Sequence, residues 1–423
     1  MTSLLDAPTA IPPSPASSLR CRNCGAEFPL IAVHACGECF GPLEVAYDPE
    51  LLAAVTREQI EAGPANIWRY AALLPVGQDP ASRVTLNPGL TPLVRADRLA
   101  AELGFAAPVW VKDDSANPTH SFKDRVVSMA LTAARGLGFE AVACASTGNL
   151  ANSVAAHAAR AGLKATVFIP SDLEPGKVVN SAIYGPRLVA VDGSYDDVNR
   201  LTSELQEADE YEDTAFVNQN VRPYYAEGSK TLGYELAEQL GWRIPAQVVI
   251  PIASGSLLTK VDKAFGELVE IGLVPDTEWK IFGAQSAGCS PVANAFEAGH
   301  DVVQPVKPTG IAKSLNIGNP ADGPYALDAV RRTGGAIASV TDDEIREGIS
   351  LLARTTGVFA ETAGGVTVAV LKNLVESGAI DRNAETVVLN TGEGLKTIDA
   401  LSVTWTHRID PSLRSAREAG LLD

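Results

Sequence analysis

Four of the six cysteines fall in one short segment, Cys21-Arg-Asn-Cys24-Gly and Cys36-Gly-Glu-Cys39-Phe-Gly, with eleven residues between the pairs. Each C-x-x-C pair can wrap one side of a tetrahedral ion, and Gly25 and Gly41 relieve the backbone where each knuckle turns back. Four thiolates suit zinc. A closed four-sulfur set leaves no open coordination position, so such an ion would hold a small fold together and would not catalyse. Two disulfides or four free thiols are the alternatives; disulfides suit an oxidising compartment, for which there is no targeting signal. His34 reads as a surface residue, and Cys144 and Cys289 are isolated.

A second kind of chemistry is spread over four loops. In Asn117-Pro-Thr-His-Ser-Phe-Lys123-Asp-Arg, the lysine stands where a helix is predicted to start. The positive end of the helix dipole disfavours an ammonium there, and a neutral amine is what imine chemistry requires. Asp124 and Arg125 are expected to pair in the first helical turn, and His120 to shape the loop. Ala145-Ser146-Thr147-Gly148-Asn149 offers hydroxyls, an amide and free helix N–H groups to a carboxylate or a ring oxygen. The small residues of Ala253-Ser254-Gly255-Ser256-Leu257 let backbone close on an anion at a helix start, as a phosphate cradle needs. The stretch lacks the G-x-G-x-x-G spacing of a dinucleotide site. Finally, Asn390-Thr391-Gly-Glu-Gly-Leu-Lys offers a hydroxyl to a ring nitrogen and glycines for close approach of a planar ligand. An amine, a phosphate cradle, an amide and a hydroxyl together suit pyridoxal phosphate.

These loops need a scaffold that brings them together. From about residue 108 the sequence alternates β-branched runs with Ala-rich helical segments. The predicted strands are 109–112, 141–144, 165–169, 187–191, 248–252, 280–284 and 386–390, and the predicted helices include 149–161, 229–240 and 257–271. Such alternation implies an α/β fold of doubly wound parallel sheets, whose ligand sites lie beyond the carboxyl ends of the strands. The 423 residues allow two or three domains, and 46 % hydrophobic residues suffice for full cores. With 51 acidic against 34 basic side chains the net charge is −17, which argues against nucleic acid or an anionic membrane as partner. No apolar stretch approaches the roughly 18 residues of a membrane span, so a cytoplasmic location is expected.

In these motifs the sequence resembles the threonine synthases, within the fold-type II (tryptophan synthase β-like) pyridoxal-phosphate enzymes, and among them the plant-like and archaeal-like group. The matching stretches are Asn87-Pro-Gly-Leu-Thr-Pro-Leu, Asn117 to Arg125, Ser146-Thr-Gly-Asn-Leu-Ala, Arg222-Pro-Tyr-Tyr-Ala-Glu-Gly-Ser-Lys230-Thr, Ile311-Ala-Lys-Ser-Leu, Ala363-Gly-Gly-Val and Asn390-Thr-Gly-Glu-Gly-Leu-Lys-Thr. The resemblance implies Lys123 as Schiff-base lysine, Asn149 as partner of the ring hydroxyl, Ala253 to Leu257 as phosphate loop and Thr391 as partner of the ring nitrogen. It implies conversion of O-phospho-L-homoserine and water to L-threonine and phosphate. Ser146 and Thr147 are expected to contact the substrate, and Arg222 and Lys230 to meet its phosphate. Glu361 and Glu227 stand near the site or cap loops.

The expected organisation is a disordered lead-in over 1–20 and a zinc-ribbon-like segment over 21–50. A larger lobe (51–129 and 226–403) and a smaller one (130–225) follow, then a tail over 404–423, with the cofactor in the cleft between lobes and the chain acting as a homodimer. The competing readings are another fold-type II enzyme, such as a threonine dehydratase or a phosphate-replacing synthase, and a non-catalytic zinc-ribbon binding protein.

Overall fold

Three sheets organise the chain, seen in a computed structural model that describes residues 14–146, 148–171, 175–193, 195–402 and 404–422. The first is a small antiparallel sheet of β1 (Ala16–Cys21), β2 (Glu27–Phe28) and β3 (Leu43–Tyr47), in the order β2-β1-β3. It carries the cysteine segment. Strand β1 starts at Ala16, so order begins before residue 20, where a disordered lead-in was expected; residues 1–13 of that lead-in lie outside the described residues. Alternate burial of Leu19 and Cys21 on this strand explains why the short stretch is held.

The second sheet has six strands: β4 (Leu93–Arg95), β5 (Val109–Asp113), β10 (Gln247–Pro251), β11 (Lys280–Ser286), β12 (Ile337–Val340) and β13 (Thr386–Asn390). Their order is β12-β11-β10-β13-β5-β4, parallel except for the antiparallel edge strand β4. Strands β10 and β13 are buried along their whole length, as continuous apolar runs covered by helices on both faces must be. The third sheet is fully parallel, in the order β8-β7-β6-β9, from β6 (Ala141–Ala145), β7 (Lys164–Pro170), β8 (Arg187–Val191) and β9 (Thr214–Phe216). No helix among the described residues is long and apolar enough to cross a membrane.

The helix Lys123–Gly136 is anchored at its first turn by an interior charge cluster. Arg125 donates through Nε to Asp114 Oδ2 at 2.7 Å and through Nη1 to Glu235 Oε2 at 2.6 Å, while Lys112 Nζ reaches Glu235 Oε1 at 2.5 Å. All four side chains are fully buried. Two cations face two carboxylates, so the cluster is formally neutral, and Thr91 adds a hydroxyl to Asp114 at 2.7 Å. The expected pairing of Asp124 with Arg125 does not occur, because adjacent helical residues point in different directions. Asp124 instead accepts the Thr119 N–H and hydroxyl and the Ser153 hydroxyl, each at 2.6 Å.

Burial opposes the charge on Glu235, yet Arg125 and Lys112 outweigh it and hold the carboxyl down at about 2. A depressed carboxyl contributes stability that is complete above the unfolded value of 4.5 and is lost as pH falls toward 2. Glu235→Gln, which leaves two buried cations short of a partner, is expected to cost about 3 kcal/mol or more at neutral pH. In denaturant titrations the gap between wild type and variant should stay constant above pH 4.5 and narrow below it; a gap independent of pH would contradict this account.

Candidate active site

The carboxyl ends of β5, β10 and β13 lie side by side, because β13 is paired with both of the others. The loop after β5 delivers Lys123 and the loop after β13 delivers Thr391, and the two are stitched together. Phe122 N–H donates to the Thr391 carbonyl at 2.9 Å, and Glu393 N–H to the His120 carbonyl at 3.2 Å. His120 shapes this loop with a φ of 62°. Lys123 is half-buried at the helix start, and its Nζ donates to the Tyr225 hydroxyl at 2.9 Å. Tyr225 belongs to the helix Arg222–Glu227, which ends at Gly228. A Cβ at 228 would lie 2.7 Å from Val126 Cα and 2.8 Å from the Arg125 carbonyl, so only glycine lets this helix lie close enough to bring Tyr225 onto Lys123.

Asn149 opens the helix Asn149–Ala161 behind β6, and its side chain makes no cap. It reaches out of its own sheet toward the six-stranded one. Nδ2 donates to both Glu361 oxygens at 3.2 and 3.0 Å, while Oδ1 accepts from Lys396 Nζ at 2.9 Å. Lys396 also reaches Asn152 Oδ1 at 3.0 Å, one helical turn further on. Burial pushes the Glu361 carboxyl above its usual range, against the pull of Asn149, Lys396 and Lys123. Burial likewise pushes Lys396 below the usual lysine range, against Glu361, Asp124 and Glu393.

After β10 the chain turns through Ala253, Ser254 and Gly255 into the helix Ser256–Glu270. Gly255 has φ 94°, no side chain caps the helix, and a Cβ there would strike the Asp322 carbonyl oxygen at 2.7 Å. Ser254 Oγ accepts the Ser256 N–H at 3.4 Å, and Ser254, Ser256 and Leu257 are half-exposed around the helix start, which leaves a cradle lined by backbone. Buried polar atoms without a protein partner include Ser121 Oγ on the loop before Lys123, Asn390 Oδ1 at the end of β13 and Thr362 Oγ1 at the start of the helix Thr362–Glu376. A cradle for an anion, an amine and unspent polar atoms fit a planar phosphorylated cofactor.

Comparison with known proteins decides the family. Residues 84–392 match the family of pyridoxal-phosphate-dependent enzymes. The threonine synthase of Methanocaldococcus jannaschii is 37 % identical over 90 % of this chain and 93 % of its own length, and that of Methanosarcina acetivorans 36 % identical over 89 % and 92 %. The chain belongs to the threonine synthase family. Solved structures with this fold include a threonine deaminase from Solanum lycopersicum, with TM-score 0.60 and 20 % identity over 78 % of this chain and 82 % of that one. Maize serine racemase matches with TM-score 0.59 and 20 % identity over 72 % and 90 %.

Against the threonine synthase motifs, the structure brings Lys123 and Thr391 together through their loops and leads Asn149 to the same region through Glu361, which adjoins Thr391 by way of Gly392. Ser146 is buried and accepts from Gly148 N–H at 3.3 Å, and Thr147 lies outside the described residues. Arg222 keeps a quarter of its side chain exposed and is tied to Asp322 at 2.6 Å. Lys230 requires a correction. It is fully buried, paired with Glu227 at 2.7 Å and Glu267 at 3.0 Å, and stacked 4.0 Å above the Tyr47 ring. An ammonium so enclosed has neither access nor spare charge for a substrate phosphate, and Glu227 is spent in the same cluster. Tyr225, Lys396 and Asp322 were missed. Tyr225 and Lys396 lie within the threonine synthase motifs, but nothing in their spacing tells which way they point.

Lys396 and Glu361 hold the Asn149–Ala161 helix to the six-stranded sheet's side of the site. Lys396→Met should remove two hydrogen bonds and raise amide exchange in residues 149–161 about fivefold per bond, at about 1 kcal/mol each. Amides of the 123–136 helix, pinned by Arg125, should exchange as before. Uniformly faster exchange in both helices would argue against a local tie.

Proposed function

We propose that this enzyme converts O-phospho-L-homoserine and water to L-threonine and phosphate, with pyridoxal phosphate held at Lys123. The observation that carries the reading is the nearly full-length likeness to threonine synthases, and the arrangement around Lys123 supports it. Lys123 would bind the cofactor through its amine, with the Ser254–Leu257 cradle taking the phosphate, Asn149 the ring hydroxyl and Thr391 the ring nitrogen. The bound cofactor supplies an electron sink for deprotonation of the substrate. Lys123 would take the proton from Cα and, only after passing that proton on, a second one from Cβ. The Tyr225 hydroxyl holds the lysine amine in place for these transfers. Breaking of the Cγ–O bond would release the phosphate, water would add its oxygen at Cβ, and the site would have to return one proton to Cγ and one to Cα. Ser146 and Thr147 would orient the substrate, while Arg222 and Lys396 supply positive charge for the leaving phosphate.

The division into a larger lobe and a smaller lobe of 130–225 belongs to this reading, supported by the separate sheets, with closure over substrate as its consequence. Exposed apolar side chains toward the C-terminus, Leu395, Ile398, Trp405 and Leu413, support a homodimer. None of the six cysteines is in a disulfide, which supports a cytoplasmic location. Purified protein given cofactor is expected to absorb visible light and to release phosphate and threonine from O-phospho-L-homoserine. Lys123→Ala should abolish both. Keto acid from threonine, without phosphate from O-phospho-L-homoserine, would point to a dehydratase instead.

We assign a structural zinc ion to the head. The sulfur atoms of Cys21, Cys24, Cys36 and Cys39 all lie within 4.8 Å of one another, with close approaches of 3.4 to 3.7 Å. A zinc tetrahedron with Zn–S of about 2.3 Å has sulfur–sulfur edges of about 3.8 Å, whereas a disulfide needs about 2.05 Å. His34 is not part of the group. Elemental analysis should find about one zinc per chain. Metal-free protein, purified without chelators and with four thiols freely titrating in this segment, would refute the assignment.

A further inference from the structure

The first knuckle of the head touches the cofactor loop through one intermediary. Arg22, between Cys21 and Cys24, lies 3.5 Å from Asp322 and 3.6 Å above the Tyr325 ring, and the Tyr325 hydroxyl donates to Asn23 Oδ1 at 2.5 Å. Asp322 is nine-tenths buried and receives Arg222 on its other oxygen at 2.6 Å. Its own N–H donates to the Ser254 carbonyl at 2.8 Å. A Cβ at Gly255 would lie 2.7 Å from the Asp322 carbonyl oxygen and 3.1 Å from its Cβ, so the root of the Asp322 side chain forms the wall of the cradle. A further tie, from the Tyr224 hydroxyl to the Ile31 carbonyl at 3.1 Å, fixes the head to the helix that carries Arg222.

Charge gives this contact a purpose. Arg222 and Arg22 face the Asp322 carboxylate at 2.6 and 3.5 Å, so its charge is offset from two sides beside a loop suited to a dianion, while Arg22 is also drawn on by Glu44 and by the thiolates of its own knuckle. We propose that Arg22 is a positioning residue for the cofactor loop: through Asp322 it fixes the backbone of Ser254 and Gly255 and offsets the negative charge there, so that the head sets affinity for the phosphate of the cofactor. This inference rests on reading Ser254 to Leu257 as the phosphate loop.

The test compares pyridoxal phosphate with pyridoxal, which lacks the phosphate, by visible absorbance titration of full-length wild type, Arg22→Ala and Ser254→Ala, without recourse to turnover. Arg22→Ala is expected to weaken pyridoxal phosphate about tenfold, in the range for loss of a residue that orients a ligand's direct contacts, and to leave pyridoxal unchanged. Arg22→Lys, which keeps the charge, should recover part of the loss. Should Arg22→Ala fold poorly, Tyr325→Leu removes the stacking support of Arg22 and should shift the same ratio in the same direction. If Ser254→Ala weakens the phosphate form and the Arg22 and Tyr325 variants do not, the coupling is wrong while the loop reading stands. If none of them alters the ratio, the loop reading falls and the coupling with it. Equal weakening of both ligands by Arg22→Ala would also overturn the proposal, since a general loss of structure does not distinguish a phosphate.

Discussion

Arg125 is the constraint on which the rest of the site depends. A guanidinium with no solvent exposure is tolerable only when its charge and donors are matched, and Asp114 and Glu235 match them from two separate parts of the chain. Asp114 immediately follows β5, and Glu235 lies on the helix Lys230–Gln239, so the first turn of the Lys123 helix is pinned to both. Lys123 precedes Arg125 by two residues and points to the other side, toward Tyr225. The amine therefore rests on a rigid support, as the role proposed for Lys123 requires.

Much of this architecture was legible in the sequence because β-branched runs and Ala-rich helices leave strong periodic signals. Strands 187–191 and 386–390 and helix 149–161 appear at the expected bounds. The short strands β4, β9 and β12 carry no such signal, nor do the three of the antiparallel sheet. Three residues such as Thr214-Ala-Phe216 carry no period, and only pairing with β6 makes them a strand. The loops bearing Lys123, Asn149 and Thr391 were legible because each follows a strand and together they offer an amine, an amide and a hydroxyl that a single ligand can use. The fate of individual cations was not. Arg222 and Lys230 share one motif and one charge, yet one is left partly exposed beside the 253–257 loop and the other is neutralised in the interior by Glu227 and Glu267. Sequence spacing cannot tell these apart, since the deciding carboxylates, Asp322 and Glu267, lie far along the chain.

An acidic protein that handles anionic ligands must separate its local field from its average one. Lys123, Lys396, Arg222 and Arg22 stand around one region, each oriented by a named partner. Other cations are committed elsewhere: Lys112, Lys230 and Lys260 are buried in ion pairs that knit helices together. The position of each positive charge thus matters more than their number.

The bonds around Asn149 also give that amide a fixed polarity. Lys396 can only donate and a Glu361 carboxylate only accepts, so the Oδ1 atom must face the lysine and the Nδ2 atom the glutamate. A half-turn of the amide would set ammonium against NH2 and carboxylate against carbonyl, two repulsions in place of two attractions. Aspartate, nearly identical in shape, would suit the lysine and be rejected by the glutamate. What this position selects is therefore not size or hydrogen-bonding capacity but a direction, a side chain whose two ends are chemically unlike and cannot be exchanged.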